Sequence, residues 1–307
     1  MPLVRSRETQ PSLTVAEAVR EYLVDCRIRN LSDQTIAFYE RRLPGFLEPW
    51  WHDDLADLTR QQIRERIGEY LGRYSPATVN GYIRGVKAVL NWALREDYGV
   101  GTDPRSLRKV KEARRVMPHL ADPQDIARLL AQPDRKRFTG IRDHMMMMLM
   151  LDTGIRLGEL IGLDLDDVKG NHIVLRGKGR KERIVAMSAP AEKAMLQYIR
   201  ARSHTGFDGT ALFVSRHGRR INKRTVADQL KHYAEAAGIH GISLSPHRLR
   251  YSFATHFLRN GGSIVSLQQV LGHTTLAMAR HYAQMVDQDA FEETRAYSPV
   301  ARLASSR

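Results

Sequence analysis

Cysteine is almost missing from this sequence of 307 residues; Cys26 stands alone. An intrachain disulfide framework is excluded, and so is a cysteine-rich zinc site. A single thiol suits a reducing compartment. Long apolar runs are also lacking. The longest, MMMMLML over 145–151, falls far short of the roughly 18 residues a membrane span needs, and it reads as part of a buried helix. The first twelve residues, MPLVRSRETQPS, have no apolar core and are not expected to act as a secretory signal. There is no acidic cluster suited to magnesium and no H-E-x-x-H pair. The expectation is therefore a cytoplasmic protein with no membrane partner, no metal and no cofactor.

Negative charge is the other shortage. Asp and Glu number 34 against 48 Lys and Arg, a formal net charge of +14 at pH 7. The basic residues are spread along the chain rather than gathered in a tail. A folded protein with such a surface is expected to meet a polyanion. Hydrophobic residues make up 42%, enough for packed cores, and the length allows roughly two domains.

After a loose arm over 1–12, a 3.6-residue period sets in at Thr14. It predicts four amphipathic helices: VAEAVREYLVDCRI, SDQTIAFYERRLPGFL, TRQQIRERIGEYLG and SPATVNGYIRGVKAVLNWALRE. Ser32 and Ser75 are expected N-caps, with Pro76 at a first helical position. Ser32, Thr35 and Tyr39 recur as Ser75, Thr78 and Tyr82, two similarly capped helices with a tyrosine on each packing face. The basic, aperiodic stretch 105–120 reads as an exposed linker, with a boundary near residue 115. Asp122 and Pro123 begin a second half that mixes helices with a little strand. HIVLRGKGRKERIVAMS reads as strand, basic turn, strand; LFVSRHGRRIN reads as a short strand and a basic loop. TVADQLKHYAEAAG, SPHRLRYSFATHFLRNG, SIVSLQQVLG and TTLAMARHYAQM read as helices.

The chemistry gathers in this second half. In SPHRLRYSFATH, His247 and Arg250 fall three apart in the opening turns of a helix, on one face. A helix start favours an anion, a guanidinium fork matches two phosphate oxygens, and an imidazole beside it can move a proton. Taken alone, an H-x-x-R match is common and fits two ordinary surface residues. Arg156 follows a Thr153-Gly154 break at the start of another helix, and Glu159 one turn on would orient its guanidinium or cap the helix. Lys178 sits at the tip of RGKGRKER. This is no nucleotide-binding P-loop, because the first glycine of that motif falls on His172 and its Ser/Thr position on Gly179. Arg180, Lys181 and Arg183 fit a solvated basic turn as well as a DNA contact. His273 follows Gly272 at a helix end, and Tyr282 comes nine residues later.

Taken in order, TGIRLGELIGL, GKGRKER, SPHRLR, LGH and Tyr282 resemble the tyrosine recombinase (phage integrase) family over residues 116–290. The resemblance is closest to compact Xer-like and mobile-element members. It implies a mainly α fold: an all-α, four-helix, SAM-like core-binding domain over 13–110, a linker over 111–118, and a catalytic domain over 119–290. The catalytic domain is mostly α with a small antiparallel β-sheet, and a tail follows over 291–307. It further implies a catalytic set of Arg156, Lys178, His247, Arg250, His273 and the nucleophile Tyr282, supported by Glu159. One departure is that many members carry His where this chain has Tyr251, a position outside the set of six.

What the resemblance implies for activity is site-specific recombination of double-stranded DNA through a 3′-phosphotyrosyl intermediate, without ATP or metal. The DNA would carry inverted-repeat core sites. Four protomers, identical or paired with a related recombinase, would assemble on it in the cytoplasm, at the nucleoid. Base contacts are expected from the N-terminal helices and the helix near Thr225, and Arg180, Lys181, Arg219, Arg220, Lys223 and Arg224 are expected to bind DNA. The segment VDQDAFEETRAY is expected to be a helix that docks on its own domain or on a neighbour. Two alternatives remain: a type IB topoisomerase-like relaxing enzyme, which the compact helical N-terminal region disfavours, and an inactive DNA-binding relative, which the intact set of six disfavours.

Overall fold

The computed structural model describes residues 12–112, 122–176, 182–241 and 243–272. The chain divides into two compact units, Met1–Arg114 and Arg115–Arg307.

Capping chemistry starts the helices of the first unit. Thr14 and Glu17 form a reciprocal capping box ahead of α1 (Val15–Ile28), as Thr59 and Gln62 do ahead of α3 (Arg60–Leu71). Ser32 accepts from the Thr35 amide at the start of α2 (Asp33–Leu47), and Ser75 from the Thr78 amide at the start of α4 (Pro76–Arg95). The apolar faces these caps launch meet in one core, which includes Val15, Val19, Leu43, Phe46, Ile63, Val79, Ile83, Val86 and Leu90. The repeated tyrosines do pack: Tyr39 meets Tyr22 edge-on at 5.2 Å, and Tyr82 stacks on Phe46 at 5.5 Å.

The second unit is built around α6 (Phe138–Thr153). Met145, Met146, Met147, Leu149 and Met150 are all buried, so the apolar run is a core helix. Flexible methionines suit a helix with neighbours on several sides. Around it stand α5 (Pro123–Ala131), α7 (Leu157–Gly162), α8 (Ala189–Ser203), α9 (Lys223–Ala236), α10 (Pro246–Arg259) and α11 (Ile264–Leu271). One polar cluster is buried with them. Arg142 pairs with Asp143 at 2.7 Å and donates to the Val214 carbonyl, while the Tyr233 hydroxyl donates to the other Asp143 oxygen at 2.9 Å. Burial pushes the Asp143 carboxyl up, and Arg142 and Tyr233 offset that only in part.

The sheet is antiparallel, in the order β1 (Val168–Lys169), β2 (His172–Arg176), β3 (Glu182–Ala186). The two expected strands are present, and the two-residue β1 adds a third. Ile173 faces Val185 and Leu175 faces Arg183 across the β2–β3 ladder. The strand expected in LFVSRHGRRIN is not there. Ala211 and Val214 make isolated bridges to Asp164 and Arg220. The reason is competition for acceptors: the Arg202 side chain takes the Ala211 carbonyl and the Tyr198 hydroxyl takes that of Leu212. Leu212 and Phe213 are fully buried, so apolar burial rather than a ladder explains this run. Among the described residues, no helix is long and apolar enough to cross a membrane, and no group of three metal-ligating side chains is assembled.

Candidate active site

The site begins where α6 stops. Gly154 caps α6 in the left-handed conformation, φ 61°. A β-carbon there would lie 2.3 Å from Phe253 on α10 and 2.8 Å from Leu271 on α11. Only glycine satisfies both the backbone and the packing. The Thr153-Gly154 break therefore lets three helices close on one point.

Arg156 follows as the N-cap residue of α7. Its amide donates to Glu159 Oε2 at 2.9 Å and its Nη1 to Glu159 Oε1 at 3.0 Å. Both sequence readings of Glu159, orienting Arg156 and capping the helix, hold at once. The far end of α7 is held by Arg220, which donates to the carbonyls of Ile161 and Leu163 and pairs with Asp164. Arg220 thus closes a helix end while its side chain stays 38% exposed. Arg219, Lys223 and Arg224 are exposed.

Glu159 has a second partner, for which the sequence leaves open a solvated turn or a DNA contact. Arg183, on β3, grips the carboxylate with both terminal nitrogens at 2.7 and 2.8 Å, and its Nε donates to the Val270 carbonyl at 3.0 Å. Its side chain is only 15% exposed. Burial alone would raise the Glu159 pKa, but the bonds from Arg183 and Arg156 outweigh it and hold the carboxyl at about 2. The signal that finds Arg183 is the period of two: residues 183 and 185 share a strand face, and Val185 points inward.

Helix α10 starts at Ser245, with Pro246 first. Arg250 is buried, and it donates through Nη1 to the Gly154 carbonyl and through Nη2 to that of Leu271 at 2.7 Å. His247, three residues earlier, is exposed. Partial dehydration and then the Arg250 charge push its pKa down. Tyr251, at the variable position, is 2% exposed and packs with Phe253, Leu267 and Leu271.

These groups converge on the end of α11. Three successive carbonyls there each accept from an arginine: Val270 from Arg183, Leu271 from Arg250, and Gly272 from Arg156. Gly272 is left-handed at φ 62°, and a β-carbon would come within 3.1 Å of Arg183. The structure thus brings Arg156, Glu159 and Arg250 together, adds Arg183, and puts His247 one turn from Arg250. Lys178, Arg180, Lys181, His273 and Tyr282, with the helix expected in TTLAMARHYAQM, lie outside the described residues. The cluster offers guanidinium donors and a neutral imidazole, an arrangement for holding an oxyanion and moving a proton.

Comparison with known proteins agrees with the architecture. The phage integrase family model matches residues 120–289. The tyrosine recombinase XerD of Staphylococcus haemolyticus is 30% identical over 279 residues, covering 87% of this chain and 93% of that protein. The XerD of Pseudomonas putida is 32% identical over 266 residues, 84% and 88% of the two chains. Among solved structures, the XerH site-specific recombinase bound to palindromic difH substrate, in a post-cleavage complex, superposes with a TM-score of 0.75 at 21% identity, over 91% of this chain and 85% of that one. The Tn1549 transposon integrase in complex with transposon right end DNA gives 0.72 at 18% identity, over 93% and 100%. These two share the fold. With a family match over more than half of the chain and XerD relatives aligned along most of it, the chain belongs to the phage integrase family of tyrosine recombinases.

Proposed function

We propose that the protein is a site-specific DNA recombinase that cuts and rejoins strands through Tyr282. The Tyr282 oxygen attacks a backbone phosphorus as the bond from phosphorus to the 5′-oxygen breaks. A 3′-phosphotyrosyl ester and a free 5′-hydroxyl result. The ester keeps the free energy of the broken bond, so a 5′-hydroxyl from a second duplex reseals the strand without ATP. Arg156 and Arg250 hold the non-bridging oxygens, His273 donates to the phosphate, and Lys178 protonates the leaving 5′-oxygen. A free tyrosine titrates near pH 10, so its proton needs an acceptor at neutral pH. His247, with its pKa depressed, stays neutral and serves as that acceptor.

The observation that carries this reading is the pair of arginines on neighbouring carbonyls, Arg250 on Leu271 and Arg156 on Gly272, directly before His273 in the chain. Two guanidiniums and a lysine neutralise one phosphodiester. Residues 13–110 serve as the core-binding domain, 111–118 as the linker and 119–290 as the catalytic domain. The protein works as a tetramer, alone or with a related recombinase, on inverted-repeat sites in the nucleoid.

The test is a duplex nicked beside the cleavage point, which traps the cut state. A covalent protein–DNA adduct is expected, absent from Tyr282→Phe. Arg156→Ala or Arg250→Ala should slow its formation by about 10²–10³-fold. No adduct on any trapped site would sink the reading. Strand exchange between two marked duplexes then separates recombination from simple relaxation.

A further inference from the structure

We propose that Arg183 is a positioning residue of the reaction: by occupying Glu159 it keeps Arg156 available to the phosphate. This rests on the reading of Arg156 as a phosphate-holding group. An arginine fork matches a carboxylate and frequently takes it two-pronged. Here the fork that fills Glu159 comes from β3 instead. Arg183 makes the paired contacts at 2.7 and 2.8 Å, and Arg156 keeps one side-chain bond to Glu159 at 3.0 Å and one to the Gly272 carbonyl at 3.3 Å.

Exposure divides the two arginines the same way. The Arg156 side chain is 41% exposed, while Arg183 and Glu159 are at 15% and 12%. The inner arginine neutralises the carboxylate, and the outer one meets solvent. The charge count follows. Arg156 and Glu159 alone sum to zero, whereas Arg183 restores one net positive charge beside the place of a phosphodiester. Arg183 also fixes where that charge stands, because its Nε holds the Val270 carbonyl and its stem lies against Gly272. The strand bearing it, β3, follows Lys178 in the chain, and Arg183 on that strand holds the helix end that precedes His273.

The experiment is single-turnover adduct formation on the nicked duplex by the full-length chain. It compares wild type, Arg183→Lys, Arg183→Gln, Glu159→Gln and the double variant Arg183→Gln/Glu159→Gln. Arg183→Gln should slow cleavage by about 10²-fold while duplex binding persists, and Arg183→Lys should fall between it and wild type. Adding Glu159→Gln to Arg183→Gln should then recover about tenfold, because a neutral amide does not capture Arg156. A residue that merely staples the fold gives the opposite: removing a second member of the network leaves the rate unchanged or lower. Failure of the double variant to recover overturns the proposal, as does an Arg183→Gln rate within about threefold of wild type. Where Arg183→Gln does not fold, the same recovery is read in the Arg183→Lys background. If the wild type forms no adduct, the recombinase reading fails separately. Guanidinium rotation of Arg156, followed by nitrogen NMR, then decides: slower rotation in Arg183→Lys supports capture by Glu159, and unchanged rotation refutes it.

Discussion

Replacing Gly154 with alanine puts the convergence of α6, α10 and α11 to a quantitative test. The residue sits at φ 61°, where a side chain costs about 1–2 kcal/mol. Its new methyl would stand 2.3 Å from a Phe253 ring carbon and 2.8 Å from a Leu271 methyl. Relieving such overlap in a packed site costs about 1–3 kcal/mol. The sum is about 2–5 kcal/mol, and a loss of about 3 kcal/mol lowers the unfolding midpoint of a unit this size by roughly 6–12 °C. Gly158→Ala is the matched control: nothing lies within 4 Å of its β-carbon position, and it sits inside α7. That substitution should be neutral or stabilise by about 0.5–1 kcal/mol. The assay is thermal unfolding followed by far-ultraviolet circular dichroism, with tryptophan fluorescence recorded in parallel. Trp50, Trp51 and Trp92 all belong to the first unit, so the fluorescence transition should stay in place while the dichroism transition of the second unit drops. Equal midpoints for Gly154→Ala and Gly158→Ala would refute the reasoning. So would a fluorescence transition that moves with the dichroism.

Glu159 makes the second unit acid-sensitive in a defined window. Its carboxyl lies at about 2 in the fold against 4.5 ordinarily, so it contributes about 3 kcal/mol that is fully present above pH 4.5 and is lost as pH falls toward 2; unfolding across that range should be steep in wild type and flatter in Glu159→Gln. Tyr233→Phe removes a bond to the buried Asp143 carboxylate and should cost about 1–3 kcal/mol in urea unfolding, whereas loss of a tyrosine hydroxyl facing water would cost nothing measurable. The His247 ring should titrate below the ordinary histidine value by proton NMR, and Arg250→Gln should move it part of the way back, since dehydration remains when the charge is gone. A His247 titration at or above the ordinary value would remove its role as a neutral acceptor.

How much of this was readable from sequence depended on how local the cause is. Helix starts were, because Ser32, Ser75, Asp122 and Ser245 act within three residues of themselves. The grouping of Arg156 with Arg250 was not a matter of spacing; family resemblance proposed it, and the fold joins the two on adjacent carbonyls of α11. Arg183 escaped because, although the strand period puts it on the inner face, nothing local names as its partner a carboxylate 24 positions away. Arg220 escaped for a like reason, its acceptors lying in a helix end more than fifty residues earlier. The strand expected in LFVSRHGRRIN reflects a limit of apolar patterning, which marks burial without saying whether backbone or side chains will supply the hydrogen bonds.

The three carbonyls at the end of α11 have a consequence for how the site meets a charged ligand. They carry the negative end of a helix dipole, so the resting arginines already sit against oxygen atoms bearing partial negative charge. On the proposed function, an arriving phosphate would find no bare buried cation to stabilise and no empty shell to fill. It would displace one set of oxygen acceptors with another that bears a full charge, a substitution rather than an addition. On that reading, the acceptor that Arg156 would give up is the Gly272 carbonyl, the last of the three and the longest bond Arg156 makes, at 3.3 Å.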